Sequence, residues 1–325
     1  MALTGLENND LKLIIFGGKG GVGKTSCAVA TAQALSENFK TLLISTDPAH
    51  SISDCLEQPI GFNVVKMTGY PNLSAIEVVA DQALSRFIAE NLAELKKLLD
   101  TSTNLDTQDI EEMLSLSIPG IDEVMSFKTI IDFIEEGWYD KYVVDTAPTG
   151  HALRLISSPK LLDEWIKVAA RMRWKYRYMI TSFAGTYEQD SVDTFLLNLK
   201  KMVKRIENIL RDNTKCEFIP VCIPESMAIT ETARLLAELG LSGIIPKQII
   251  VNNVMSSEGC DFCIRRKASQ RPHLAEIHQI FSDLHETEVP VFAEEIKGRE
   301  ALLQLKIFLF GGPDLVRMTR EFMHV

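Results

Sequence analysis

Six short runs dominated by aliphatic side chains recur along the chain, at residues 13–16, 41–45, 73–78, 142–145, 218–223 and 249–254. Stretches with helical spacing of apolar residues separate them, as after residue 25, where Val29, Ala32 and Leu35 share one helix face. Apolar runs alternating with helices predict an α/β fold with a parallel sheet covered on both faces. Ligands in such sheets bind beyond the carboxyl ends of the strands. The most distinctive polar residues stand at those ends, in segments 17–25, 47–51 and 145–151 and at Asn252.

Two stretches, 81–136 and 152–212, are longer than a crossover needs. The first carries Leu84, Phe87, Ile88, Leu92, Leu95 and Leu99 at helical spacing. A polar break at 101–109 follows, predicted to be mobile, and then Ile110, Met113, Leu114, Leu116 and Ile118. The second carries Leu161, Trp165, Ile166, Ala169, Met172 and Met179, then Phe195, Leu199, Met202, Ile206 and Ile209. Together they predict a helical subdomain inserted within a single domain spanning 1–325. There is no internal repeat and no long linker.

Composition narrows the function classes. Of 325 residues 46% are hydrophobic and 24% charged, which describes a globular chain with ample core. A formal charge of -10 argues against nucleic acid or an anionic membrane as a partner, because both demand a basic face. No stretch approaches the ~20 apolar residues of a membrane span. Residues 1–10 lack the basic start and apolar run of a signal peptide. Six cysteines in a chain of this size do not make a disulfide framework, so the expected compartment is the reducing cytoplasm.

The segment from Gly18 to Thr25 reads Gly-Lys-Gly-Gly-Val-Gly-Lys-Thr. Gly18, Gly23, Lys24 and Thr25 fill the four fixed positions of a phosphate-binding loop. In such a loop, backbone N–H groups cradle phosphates, the lysine reaches the β/γ-oxygens and the hydroxyl meets Mg²⁺. The loop follows a strand-like run and opens a helix, so Gly18, Lys19, Gly20, Gly21, Val22, Gly23, Lys24, Thr25 and Ser26 form the predicted nucleotide-binding segment. Lys19 is surplus to that chemistry. It stands too early in the loop to serve its own phosphates easily, which points it at the nucleotide of a second molecule.

Asp145 ends the run Tyr-Val-Val-Asp, where a Walker-B acid holds Mg²⁺ directly or through water. The loop after it, Thr-Ala-Pro-Thr-Gly-His151-Ala-Leu-Arg154, has the composition of a switch ordered by triphosphate. Asp47 opens a second such loop, Asp-Pro-Ala-His-Ser51, where its carboxylate can orient an attacking water and take its proton. Taken alone, Asp-Pro is also a common turn signal.

The lysine-bearing loop, Asp-Pro-Ala-His-Ser and Asp-Thr-Ala-Pro-Thr-Gly-His-x-Leu-Arg together resemble the ArsA-type ATPases, over about residues 13–305. That family comprises arsenite-pump ATPases and the Get-pathway factors that deliver tail-anchored membrane proteins. The resemblance implies a P-loop core of the deviant Walker A type that hydrolyses ATP with Mg²⁺. It makes Lys19 the signature lysine reaching across a homodimer, Asp47 the hydrolytic aspartate of switch I, and Asp145 the start of switch II. It makes Glu225 and Asn252 nucleotide contacts. It makes the segment Pro290, Val291, Phe292 through Lys297 an adenine loop. Lys297 stands where the family carries arginine, keeping the charge without the planar fork.

Cys260-Asp-Phe-Cys263 bears on the branch. A C-x-x-C pair reads as a redox couple or half a zinc site, and structural Zn²⁺ wants four ligands. The other two can come from His273 and His278 of the same chain, or from a second chain. The Get-pathway factors resemble the second case, which implies intersubunit Zn²⁺ in a homodimer. Arg265, Arg266 and Lys267 beside the pair favour thiolates, in keeping with the redox reading. No cysteine occurs from 56 to 215, so the pump branch's arsenic-binding thiolates are missing from the helical part. The expected function is delivery of hydrophobic transmembrane segments of tail-anchored clients to a membrane, with a membrane receptor as a further partner. An arsenite/antimonite efflux ATPase and a redox-switched holdase are the alternatives. Met113, Leu114, Leu116, Met172, Met179, Phe195, Leu199 and Met202 are the client-groove candidates, methionine suiting varied sequences.

Overall fold

A computed structural model describes residues 2–47, 51–98, 121–147, 160, 162–171, 190–256 and 259–311. All six apolar runs are strands, and two further strands join them. In chain order they are β1 (Leu13–Gly17), β2 (Thr41–Ser45), β3 (Val65–Lys66), β4 (Leu73–Glu77), β5 (Lys141–Asp145), β6 (Cys216–Cys222), β7 (Gln248–Val254) and β8 (His285–Pro290). They form one sheet in the order β3-β4-β2-β5-β1-β6-β7-β8. Every pairing is parallel except β3 with β4. β8 escaped the sequence reading because its residues, His-Glu-Thr-Glu-Val-Pro, are polar. It is an edge strand that buries only Thr287, Val289 and Pro290.

The described helices are α1 (Lys24–Leu35), α2 (Ser51–Leu56), α3 (Ala80–Glu90), α4 (Leu92–Leu98), α5 (Ile121–Glu136), α6 (Ser191–Arg211), α7 (Ser226–Leu241), α8 (Asp261–Ile280) and α9 (Gly298–Phe310). Residues 162–171 are also helical. None of these is long and apolar enough to cross a membrane.

The alternation of β7 shows how the helices are shared between the faces. Ile250 joins the cluster built on α1 and α9, with Val29, Leu35, Leu302 and Leu305. Ile249 and Val251 point the other way, to Ala228 and Ile229 of α7 and Ile277 of α8. Burying each such side chain stabilises the fold by about 1.5–3 kcal/mol relative to exposure, so the two-sided burial of the central strands is the main cohesive term.

By internal contacts the chain divides into two compact units. One comprises 1–78, 133–153 and 210–325; the other comprises 79–132 and 154–209. The first holds the whole sheet. The described part of the second is helical: α3, α4, most of α5, residues 162–171 and most of α6. α3 and α6 are amphipathic, with Leu84, Phe87 and Ile88 buried on one and Phe195, Leu199, Met202 and Ile206 on the other.

β1 lies between β5 and β6, with Phe16 level with Asp145 and Gly17 level with Pro220. The chain leaves β1 toward β2 on one side and later enters β6 on the other. Strand order reverses there, and ligands in such sheets bind in the crevice outside the strand ends.

Candidate functional site

Gly18 follows β1 at φ +150, with Gly21 at +79 and Gly23 at +94. At Gly18 a Cβ would meet the Val221 carbonyl oxygen at 2.3 Å, and at Gly23 it would meet Asn252 Nδ2 at 2.3 Å. The loop therefore wraps tightly against β6 and β7, which only glycine allows at these positions. Gly23 is the N-cap of α1. It supplies no side-chain cap, and no acid stands in the first turn. The first N–H groups of α1 thus face the loop without a side-chain acceptor, an arrangement suited to phosphate.

Lys24 is buried, with Nζ donating to the Lys19 carbonyl at 3.1 Å. Burial pushes its pKa down, while Asp145 and Asp47 push it back up. Those two carboxylates are therefore close enough to act on its charge. The Lys19 side chain is half-buried and makes no hydrogen bond or ion pair among the described residues.

Thr25 Oγ1 donates to Asp145 Oδ2 at 2.7 Å and lies 3.5 Å from Ser51 Oγ. Asp145 is fully buried, and its other oxygen, Oδ1, has no hydrogen-bond partner among the described residues. Burial raises its pKa to about 7, against the opposing pull of the Thr25 hydroxyl and Lys24. A buried carboxylate oxygen without a partner, beside a hydroxyl whose lone pairs are still available, is the donor set a hard cation such as Mg²⁺ takes. The residues fit that ion.

The two switch-like segments leave the sheet next to each other. Thr46 N–H donates to the Asp145 carbonyl at 3.0 Å, and Thr146 Oγ1 donates to the Phe16 carbonyl at 2.7 Å. Asp47, half-buried, donates its N–H to Ser45 Oγ at 3.1 Å. Pro48 to His50 and residues 148–159 lie outside the described residues.

A cleft of about 420 Å³ opens over the loop. Gly21, Gly23, Thr25, Ser26, Asn252, Phe292 and Lys297 line it, as do residues that the sequence reading did not single out. Among these are Asp54 and Cys55, which share one face of α2 with Ser51 of the Asp-Pro-Ala-His-Ser51 loop. That spacing, immediately after Asp47, was the available signal. Asn252 Nδ2 donates to the Val22 carbonyl at 2.9 Å, whereas its Oδ1 is buried without a partner. Pro290 ends β8, and Phe292 packs edge-on against Phe308. Glu225 is exposed, does not line the cleft and pairs with Arg266 at 2.9 Å.

Cys260 caps α8, accepting from Cys263 N–H at 3.2 Å, and the two sulfurs stand 2.7 Å apart at the surface. The Cys260 thiol is pulled down by its contact with Cys263, with a smaller pull from Arg265, and the Cys263 thiol is pushed up. Among the described residues no His, Asp or Glu joins this pair in a metal-sized cluster. His273 faces Glu276, and His278 faces Glu286. The same-chain pairing of cysteines with these histidines is therefore not assembled. Phe262 and Ile264, interleaved with the cysteines, are exposed.

In the helical unit, Phe195, Leu199 and Met202 line a cleft of about 650 Å³ with Phe87, whose ring lies 6.1 Å from that of Phe195. Its rim is charged, with Glu90, Glu94, Lys128, Asp132 and Arg205. Met113, Leu114, Leu116, Met172 and Met179 lie outside the described residues.

The family model described as anion-transporting ATPase (ArsA ATPase) matches residues 11–311. ATPase ASNA1 homolog 1 of Paramecium tetraurelia is 33% identical over 92% of this chain and 92% of its own length. ATPase get3 of Pyrenophora tritici-repentis is 30% identical over 91% of this chain and 90% of its own. ATPase asna-1 of Caenorhabditis elegans is 33% identical over 92% and 93%. Together with the phosphate loop under β1 and the Thr25–Asp145 cation site, these matches show that the chain belongs to the ArsA-type family of anion-transporting ATPases.

Proposed function

We propose that this ATPase is a cytoplasmic homodimer that shields the transmembrane segments of tail-anchored proteins and delivers them to a membrane. The observation that carries the dimer is the surface cysteine pair. Two sulfurs converge where the described chain offers no third ligand. Zn²⁺ reaches four ligands when the Cys260 and Cys263 pairs of two chains meet. Exposed Phe262 and Ile264 supply apolar contact around such an axis. Lys19, without a side-chain partner among the described residues, fits a role at the second chain's nucleotide.

In the proposed chemistry, Lys24 and the uncapped start of α1 bind the β- and γ-phosphates of ATP. Thr25 and Asp145 would hold Mg²⁺, which would supply charge to offset that of the phosphates. Asp47 orients a water whose oxygen bonds to the γ-phosphorus and accepts its proton. The bond to the bridging oxygen breaks, and ADP departs with the electron pair. Lys19 of the partner subunit stabilises the negative charge on the transferring group. Asn252, Phe292 and Lys297 frame the base, whereas Glu225, paired with Arg266 outside the cleft, reaches the nucleotide only if that pair opens.

The helical unit is the client-holding part. A membrane span of ~20 apolar residues must be kept from water, and the floor of Phe87, Phe195, Leu199 and Met202 offers part of a surface for it. A large apolar surface left open aggregates, so nucleotide-driven movement of the switch loops is the means of exposing it. The close, exposed thiols also favour a second reading, a holdase switched on by oxidation of Cys260 and Cys263. Asp47→Asn separates the two, since targeting needs hydrolysis and a holdase does not.

The deciding experiment co-expresses the chain with an apolar C-terminal segment as bait, then measures ATPase rate, zinc content and bound bait. Hydrolysis, copurified bait and about one zinc per two chains that is lost in Cys260→Ser support targeting. Stimulation by antimonite with no bait bound would replace it with the efflux reading.

A further inference from the structure

One group of ligand-type side chains converges away from both the nucleotide cleft and the cysteine pair. Glu286 and Glu288 stand two apart on β8 and so share a face of the strand. His278 lies in the last turn of α8. The turn from α8 into β8 is held by Leu284 N–H donating to the Phe281 carbonyl at 2.9 Å. Ile277 and Phe281 anchor that turn in the core, which leaves the neighbouring His278 turned outward, toward the two glutamates. One ligand atom from each of the three lies within 4.8 Å of the others.

The local chemistry asks for a cation. His278 Nδ1 is 2.8 Å from Glu286 Oε2. The second oxygen of that carboxylate, Oε1, is buried and has no hydrogen-bond partner among the described residues. Among the described residues neither Glu286 nor Glu288 forms an ion pair with lysine or arginine. Two carboxylates thus share one face with only an imidazole for company, one of their oxygens cut off from water.

We propose that His278, Glu286 and Glu288 form a divalent transition-metal site, one per chain, of the Zn²⁺ type. One imidazole nitrogen and two carboxylate oxygens suit Zn²⁺ and its neighbours, whereas Mg²⁺ and Ca²⁺ favour all-oxygen sets. Exposed His278 leaves room for water as the remaining ligand. The ion fastens the end of α8 to β8, the strand that runs into the Phe292 segment of the nucleotide cleft. The site is independent of the cysteines. Cys263 and His278 belong to one helix and are about 22 Å apart along its axis at 1.5 Å per residue.

The test uses the full chain carrying Cys260→Ser and Cys263→Ser, stripped of metal and free of nucleotide, titrated with Zn²⁺ by calorimetry. One Zn²⁺ per chain is expected, with a rise in Tm. Adding His278→Ala or Glu288→Gln should each weaken binding ~10-fold or more and abolish that rise. His273→Ala, an outward-facing histidine on the same helix, should change neither. Co²⁺ in place of Zn²⁺ should show ligand-field bands sensitive to His278→Ala, with no thiolate charge-transfer band. Three results overturn the proposal: no Zn²⁺ bound beyond the His278→Ala level, equal losses from His273→Ala and His278→Ala, or displacement of Zn²⁺ by equimolar Mg²⁺.

Discussion

Thr25 and Asp145, 120 positions apart in sequence, are joined by a 2.7 Å hydrogen bond from the threonine hydroxyl to the carboxylate. The bond ties the first turn of α1 to the end of β5 and leaves Asp145 Oδ1 buried without a partner. Such an oxygen is costly unless a cation takes it up. Removing either donor should therefore act on metal use before it acts on the fold. Thr25→Ala and Asp145→Asn should lower Mg²⁺-dependent ATP turnover by ~10² or more. Nucleotide affinity measured in EDTA should change little. A loss of affinity in EDTA as large as that in Mg²⁺ would mean the pair supports the loop instead of the ion.

Gly23 and Gly21 both lie at positive φ, +94 and +79, but their surroundings differ. A Cβ at Gly23 collides with Asn252 Nδ2, whereas one at Gly21 meets nothing within 4 Å. Gly21→Ala should cost only the backbone term, about 1–2 kcal/mol. Gly23→Ala should add displacement of Asn252, whose amide holds the Val22 carbonyl. Nucleotide affinity, read by titration calorimetry, should fall ~10-fold further in Gly23→Ala than in Gly21→Ala. Equal losses would mean that Asn252 moves aside freely.

Lys141 is buried in full, its ammonium donating to the Asn8 carbonyl at 2.5 Å and the Leu11 carbonyl at 2.7 Å, with the Phe39 ring at 4.8 Å. Burial, helped by Lys12, pushes its pKa down to about 8 from 10.5. Between those values the unfolded chain holds the proton more tightly, so this residue's contribution to stability rises with pH, by at most ~1.4 kcal/mol per pH unit. Below about 8 both states are protonated and the contribution is flat. Buried Cys27 and Cys216, their thiols raised by burial, work in the opposite sense above about 9.0. The difference between wild type and Lys141→Met, measured by urea unfolding from pH 7 to 10, therefore carries the result. It should widen in favour of wild type as pH rises, and a constant difference would contradict the lowered pKa.

The six central strands were readable because burial on both faces makes them apolar throughout, as Leu13 to Phe16 shows. β8 was not readable for the same physical reason in reverse: an edge strand can stay polar, and His285-Glu-Thr-Glu hides its alternation among charges. The phosphate loop was legible because its chemistry is local, each glycine answering to a turn within the loop. The partners of Asn252 and Lys141 were not, since a carbonyl acceptor such as that of Val22 or Leu11 carries no residue-type signature. Nor did Glu225 announce its pairing with Arg266, 41 positions away. The His278, Glu286 and Glu288 group exists only because a short turn folds β8 back along α8.

The placement of Lys19 leads to a test that needs no knowledge of the client. Its carbonyl accepts from Lys24 Nζ, yet its side chain has no hydrogen-bond or ion-pair partner among the described residues. Asp47 lies close enough to Lys24 to raise the pKa of that lysine. If Lys19 serves the opposite chain while Asp47 serves its own, Lys19→Ala and Asp47→Asn disable a dimer by different routes. Each homodimer should be nearly inactive, the lysine loss costing on the order of 10³–10⁵ in turnover if it acts as an arginine finger does. In a mixed dimer, the Lys19→Ala chain keeps its own Asp47 and receives Lys19 from its partner, which rebuilds one intact site. The other site of that dimer lacks both groups. With random pairing, half the dimers are mixed and each has one site of two, so co-expressed variants should recover about a quarter of wild-type turnover. Recovery at that level establishes both the dimer and the crossing of Lys19. No recovery in dimers that light scattering shows to be mixed would place Lys19 on its own nucleotide, because then no pairing of these variants restores a complete site.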